Sequence, residues 1–249
     1  MKRHITFQAG LSAAAVILCC VLSGCATEKL VRNAKPTAFL EASGTPMTGK
    51  IARLPFDHAW REAGLDTARY SRLVIRPVTL NHLRTEQWKE SASAEITSRE
   101  RYVEHARELA AYWNQSLNRS FRGPGAHLEL TGNPALPGTL VLEIALTEVV
   151  FGHPGTYAAS YAVPFGGVAE SAMFSPTVAF EARVRDAATG KIVATAADRR
   201  GTRMKIVDFN RLTISKPNKE ICDEWAVQLM EAFNREMFPK VKRTLFTPF

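Results

Sequence analysis

Hydrophobic positions recur at helical spacing in two long segments of the chain. The first runs from Ser98 to about Gly123, and its apolar residues are spaced three or four apart: Tyr102, Ala106, Leu109, Trp113 and Leu117. The second follows Pro217 and stops before Pro239, with apolar residues four apart: Ile221, Trp225, Leu229, Phe233 and Met237. Because these steps place side chains on one helical face, the sequence predicts two amphipathic helices.

Other segments carry the alternating or β-branched pattern of strands. Residues 72–80 predict a first strand and residues 140–150 a long one. Residues 177–185 and 192–197 alternate on either side of a turn-forming sequence, which predicts a β-hairpin. The order strand, helix, strand, hairpin, helix predicts an α+β fold, with a mixed or antiparallel sheet of four or more strands and both helices packed on one face.

The beginning of the chain has the composition of a secretory signal. Residues 1–4 are basic, and residues 5–22 form a nearly uncharged run that is short for a membrane span. The run ends in Leu22-Ser23-Gly24-Cys25, which resembles the bacterial lipobox, whose cysteine receives lipid. We therefore expect a signal peptide over residues 1–24 and lipid on Cys25. A transmembrane anchor and a signal without lipid are the alternatives.

The following residues indicate how the mature protein is organised. Residues 25–60 are predicted to form the lipidated N-terminus and a flexible tether, with first packing near residues 54–60, and residues 61–249 a single globular domain. By resemblance to sorted lipoproteins, Ala26 rather than aspartate after the cysteine favours the periplasmic face of the outer membrane. Cys222 is then the only cysteine left without lipid, so no internal disulfide is expected.

Charge narrows the classes of partner. The formal charge of +8 falls by two when Lys2 and Arg3 leave with the signal. A positive surface attracts lipid phosphates, anionic envelope polymers or acidic proteins. We therefore expect the membrane as a partner through the lipid anchor, and another envelope protein or anionic polymer as a further partner. Nucleic acid is not expected for an exported protein.

Three short motifs resemble those of a known family. They are Arg72-Leu73-Val74-Ile75-Arg76-Pro77-Val78, Val163-Pro164-Phe165-Gly166-Gly167-Val168 and Ala182-Arg183-Val184-Arg185-Asp186-Ala187-Ala188-Thr189-Gly190-Lys191. Together with the lipobox and the polar segment after it, they resemble bacterial lipoproteins of domain of unknown function 3313, over roughly residues 65–237. The resemblance implies an envelope address and a fold, and it assigns no catalytic residue.

Motifs for catalysis or metal binding are missing. The sequence has no Cys-x-x-Cys pair, no helical histidine pair and no Gly-x-Ser-x-Gly elbow, and the glycines at 166 and 167 lack the continuation of a phosphate loop. We therefore expect no cofactor, no metal and no enzymatic activity. An envelope hydrolase is an alternative, with Glu143, His153 and Asp198 as candidates by residue type alone. A carrier of an apolar ligand is another, and it predicts a cavity between sheet and helices.

Two regions are candidates for binding a partner. The connection over residues 151–175 combines glycines and aromatic residues with a single acid, Glu170, and long connections are often functional. Its alternative role is a cover folded back over the sheet. A basic cluster follows the hairpin, and its alternative role is solvated charge. The candidate residues are Tyr157, Tyr161, Phe165, Phe174, Arg199, Arg200 and Arg203. The expected function is therefore a non-enzymatic binding or accessory module on a lipid-anchored envelope lipoprotein.

Overall fold

A mixed β-sheet with two long helices on one side makes up the part of the protein that the computed structural model describes, which is residues 36–41, 44, 54–91, 93, 95–152, 176–201 and 214–237. The elements in chain order are α1 (Ala38–Glu41), β1 (His58–Arg61), β2 (Arg72–Ile75), α2 (Arg99–Arg122), β3 (Glu129–Leu130), β4 (Thr139–Val150), β5 (Thr177–Asp186), β6 (Ile192–Gly201) and α3 (Lys216–Met237). Short 3₁₀ helices occupy Thr67–Arg69 and Thr85–Lys89.

The strands of the described residues lie in the order β1-β6-β5-β4-β2-β3. Strand β2 is parallel to β3 and β4, and the remaining neighbours are antiparallel. The predicted hairpin is confirmed as β5 and β6. Its turn is stabilised because the carboxylate of Asp186 accepts hydrogen bonds from the backbone of Ala188 and Thr189, while Gly190 adopts a positive φ of 70°. The predicted α+β fold is confirmed.

Both predicted helices are confirmed, and they cover the same face of the sheet, here called the inner face. Helix α2 begins where the Ser98 hydroxyl accepts a hydrogen bond from the backbone of Arg101, as an N-cap residue does. In the core, the rings of Trp113 and Trp225 meet that of Phe180 from β5, with centroids 5.3 and 4.7 Å from it. All three side chains are essentially inaccessible to solvent.

The strand predicted over residues 72–80 is shorter than expected and is not the first. Strand β1 precedes it, and β2 ends at Ile75. Pro77 has no N–H to donate to a neighbouring strand, which explains the interruption. The chain returns to the sheet at Thr79, which forms an isolated parallel bridge with Ala145.

The prediction of a flexible tether over residues 25–60 is wrong for part of that range. Residues 36–41 pack on the outer face of the sheet, which is the face opposite the helices. There Phe39 and Leu40 are 5% and 1% exposed and contact Ala145. Their two large apolar side chains account for the docking, and we call residues 36–41 the strap. The chain therefore reaches the domain well before the predicted point near residues 54–60.

Candidate functional site

Three strands finish together at one end of the sheet. In the strand register, Val150 of β4 pairs with Thr177 of β5, which pairs in turn with Gly201 of β6. Beyond them, the Gly152 backbone N–H donates to the carbonyl of Ile214, immediately before α3. The connection over residues 151–175 and the segment after Gly201 therefore leave the sheet from one place, which we call the loop end.

Buried polar side chains fix the loop end. The Tyr102 hydroxyl donates to the carbonyl of Val149 over 2.9 Å, and the Ser91 hydroxyl accepts from the backbone N–H of Phe151 over 3.1 Å. The amide nitrogen of Asn218 donates to the carbonyls of Val150 and Thr177 over 3.0 and 3.4 Å. These hydrogen bonds satisfy backbone groups of the strand ends and give the departing segments a rigid support.

The three side chains at the loop end are 0% exposed. Burial, together with the negative charge of Glu148, raises the pKa of the Tyr102 hydroxyl far above its usual range, so it stays a hydrogen-bond donor at neutral pH. Sequence reasoning assigned Tyr102 only to the apolar face of a helix and did not identify Ser91 or Asn218. The sequence carried one signal for Asn218: it is a polar residue in the first turn of a helical face whose other residues are apolar.

Most of the predicted site residues lie outside the described residues: Cys25, Tyr157, Tyr161, Phe165, Phe174 and Arg203. Arg199 and Arg200 are described, and as neighbours in β6 they point to opposite faces of the sheet.

Arg200 belongs to the core. It is 4% exposed, and its guanidinium donates to Asp198 over 2.7 Å and to the side chain of Gln228 over 2.6 Å. It also pairs with Glu224 over 2.9 Å, while Asp198 accepts from the indole of Trp225 over 2.9 Å. The predicted solvated or partner-facing basic cluster is therefore wrong at this position, because these partners enclose the charge inside the domain.

The outer face carries ion pairs. Arg199 pairs with Glu148, and Glu143 binds both Arg183 and Arg185. Burial raises the pKa of the Glu143 carboxyl, but hydrogen bonds and charge from its two arginines outweigh that effect and leave the pKa below its usual value. Whether Arg199 also contacts a partner stays a prediction.

The residues proposed for the hydrolase alternative are not brought together. Glu143 lies on the outer face between arginines, and Asp198 lies on the inner face beside Trp225. His153 falls outside the described residues. Among the described residues, no three His, Cys, Asp or Glu side chains are grouped as metal ligands. No helix in the described part of the chain combines the length and apolarity needed to cross a membrane.

An apolar cleft lies between the sheet and α3, where the carrier alternative predicts a cavity. It is lined by residues of β1, β4, β5 and β6, by Phe56 before β1, and by Leu229 and Phe233 of α3, and its volume is about 60 Å³. An engineered cavity that admits benzene is larger, at about 150 Å³. The cleft therefore has room for a single aliphatic group and is smaller than the carrier alternative requires.

The chain belongs to the family described as "Protein of unknown function (DUF3313)", which matches residues 54–229. A search of curated proteins found no match. Among solved structures, the chain is similar to a PelC dodecamer from Paraburkholderia phytofirmans, with 14% identity and a TM-score of 0.36 over 69% of this chain and 96% of that one. A PelC point variant from the same organism gives 14% identity and a TM-score of 0.34 over 69% and 97%. At these scores the likeness carries no argument about function or assembly.

Proposed function

We propose that the protein is a lipid-anchored lipoprotein on the periplasmic face of the outer membrane, whose domain binds another envelope component without catalysing a reaction. The observation that carries the binding role is the convergence of two connections at the loop end. The lipobox at residues 22–25 and the basic charge of the mature chain support the address and a preference for an anionic partner.

The construction of the loop end favours binding. Ser91, Tyr102 and Asn218 hold the strand ends with buried hydrogen bonds, so a partner would meet segments that start from fixed points. Fixed starting points reduce the conformational entropy that binding segments lose. The two described candidates for catalysis, Glu143 and Asp198, instead bind arginines in structural ion pairs.

Site-specific photo-crosslinking in intact cells tests the binding role. A photoreactive residue replaces Tyr157 or Phe165 in the connection from the loop end. The matched control replaces Leu136, which is 37% exposed in the turn before β4, at the opposite end of the sheet. We expect one discrete crosslinked species from both loop-end positions and none from Leu136. Equal products from all three positions, or none from any, would contradict the proposal.

Fractionation with intact-mass measurement tests the anchor independently. Wild-type protein should carry acyl mass and sediment with the outer membrane. The variant Cys25→Ala should lack that mass and leave the membrane fraction, because the loss of several buried acyl methylenes removes about 0.8 kcal/mol each. If the wild-type protein carries no acyl mass, the lipoprotein assignment is wrong, and the binding role then depends on the crosslinking result alone.

A further inference from the structure

The strap is attached to the outer face by polar and apolar contacts together. The backbone N–H and the hydroxyl of Thr37 donate to the two carboxylate oxygens of Glu181, over 2.6 and 2.7 Å. The guanidinium of Arg183 lies 4.1 Å from the ring centre of Phe39 and donates to its carbonyl over 3.1 Å. Leu40 is buried in a cluster with Phe39 and Ala145, so the strap is held at several points.

The position of the strap shortens the path from the lipid to the domain. Only ten residues, 26–35, separate Cys25 from Pro36, whereas the first strand begins at His58. The eleven Cα–Cα steps to Pro36 span about 40 Å when fully extended. A flexible chain of that length has a root-mean-square span of about 18 Å.

The size of the domain turns this short path into a constraint on orientation. A domain of about 190 residues has a radius of gyration near 16 Å, hence a diameter of about 40 Å. For the helices to face the bilayer, the linker would have to pass over the rim of the domain and down to the lipid, roughly 50 Å, which exceeds its extended length of about 40 Å. When the outer face is turned toward the bilayer, the linker leads from the strap to the lipid without passing around the domain.

We propose that the strap makes the outer face of the sheet the membrane-facing surface of the protein, with the layer of α2 and α3 directed away from the bilayer. The inference rests on the proposed lipid anchor at Cys25. It adds that the partner of the outer face is the lipid surface itself, and that the orientation depends on Phe39 and Leu40 remaining docked.

Depth measurements with two single-site labels test this orientation. Asn81→Cys places a fluorophore beside His82, whose ring packs against Phe39 on the outer-face side. Val227→Cys places one on the opposite side of the protein, on a residue of α3 that is 45% exposed. The native thiol does not interfere, because Cys222 is fully buried and burial raises its pKa well above the usual value.

The labelled lipoproteins are reconstituted into vesicles in which some phospholipid headgroups carry a nitroxide quencher. We expect several-fold stronger quenching at position 81 than at position 227. In the strap variant Phe39→Asp/Leu40→Asp, the difference between the two labels should be lost, because the anchor then connects to the domain through 30 residues, 26–55, which precede the buried Phe56. As a control, circular dichroism should show that this variant keeps its fold.

The outcomes separate the two proposals. Acylated, strap-intact protein with equal quenching at both positions, or stronger quenching at 227, overturns the orientation and leaves the anchor standing. A persistent difference after the strap substitutions shows that something other than the strap orients the domain, and so also overturns the inference. Protein that carries no acyl mass and does not bind vesicles overturns the anchor, and the orientation with it.

Discussion

The two faces of the central strands are both buried, but by different kinds of side chain. On the inner face, Phe180 is 1% exposed among the tryptophans of the helices. Its neighbour Glu181 points to the outer face and is still only 3% exposed, under the strap. The alternation of apolar and polar residues along a strand therefore reveals which face is apolar, and it does not reveal whether the polar face is open to water.

The two faces also differ in how far their ion pairs are exposed to solvent. On the inner face, Asp198 and Arg200 form a pair whose side chains are 0% and 5% exposed, and Arg200 also binds Glu224 at the edge of the core. On the outer face, Glu143 is shared between two arginines whose side chains are 20% and 29% exposed. Because water still screens the outer pairs, breaking one should cost less than breaking the inner pair.

The largest expected effect comes from removing the inner acid. Asp198→Ala leaves the guanidinium of Arg200 and the indole N–H of Trp225 buried without that acceptor. We expect the free energy of unfolding to fall by about 3–5 kcal/mol. Chemical denaturation at neutral pH measures it.

A double variant separates the burial of an unpaired charge from the value of the pair. Asp198→Leu/Arg200→Met removes both charges, so it should be more stable than Asp198→Ala, since an apolar replacement of a buried pair is often close to neutral. A double variant as unstable as the single one would show that the pair's geometry, and not the orphaned charge, governs stability here.

A smaller effect is expected from apolar truncation on the outer face. Leu40 and Leu109 are 1% and 0% exposed, so burial alone predicts equal losses. Leu109→Ala in α2 should cost about 2–5 kcal/mol, as core truncations do. Leu40→Ala should cost about 1 kcal/mol, because the strap can detach while the sheet stays folded, and its docking energy limits the global loss.

Limited proteolysis with denaturation distinguishes these two leucine variants. Leu40→Ala should be cleaved near the strap at a denaturant concentration where the rest of the domain is protected. Simultaneous loss of strap and domain, with equal costs for both leucines, would show that the strap is an integral part of the core.

Local patterns predicted most of the fold. The helices around Trp113 and Trp225 follow from four-residue spacing, and the hairpin follows from alternation and the turn at Asp186. The strap was missed because Phe39 and Leu40 are two apolar residues in a polar segment, and their docking depends on distant partners, Ala145 for these side chains and Glu181 for Thr37. Pairing across long sequence separations is not visible in a local pattern.

Local sequence patterns also failed to predict the contacts of the candidate site residues. Arg199 and Arg200 are adjacent in sequence and read as one basic cluster, yet strand geometry sends them to different faces. Glu148 is recognisable as the partner of Arg199 only once the register of β4, β5 and β6 is known. Asp198 lies two residues before Arg200 on the same face of β6, so strand alternation alone could have paired them. The loop end likewise depends on the register, and on Asn218 reaching back from α3.

The smallest expected effects come from two outer-face acids whose pKa values are shifted in opposite directions. The pKa of Glu143 lies below the ordinary value of 4.5, because its arginines outweigh burial. Its ionised form therefore stabilises the fold above that pH, and the contribution is lost as the pH falls through the lowered pKa. The pKa of Glu181 is raised, chiefly by burial, although hydrogen bonds from Thr37 oppose the shift. Its ionisation therefore reduces stability as the pH rises above 4.5.

Glutamine substitutions should then act in opposite directions at pH 7. Glu143→Gln should lower the free energy of unfolding by about 1 kcal/mol and flatten its decline below pH 4.5, since the arginines keep no charged acceptor there. Glu181→Gln should raise it by less than about 0.5 kcal/mol, because the amide oxygen still accepts from the Thr37 backbone N–H and the amide nitrogen donates to the Thr37 hydroxyl, without ionisation under the strap. Denaturation curves from pH 3 to 7 measure both. Equal losses at pH 7 would mean that the strap needs the negative charge of Glu181, and that the outer face is held by electrostatics throughout.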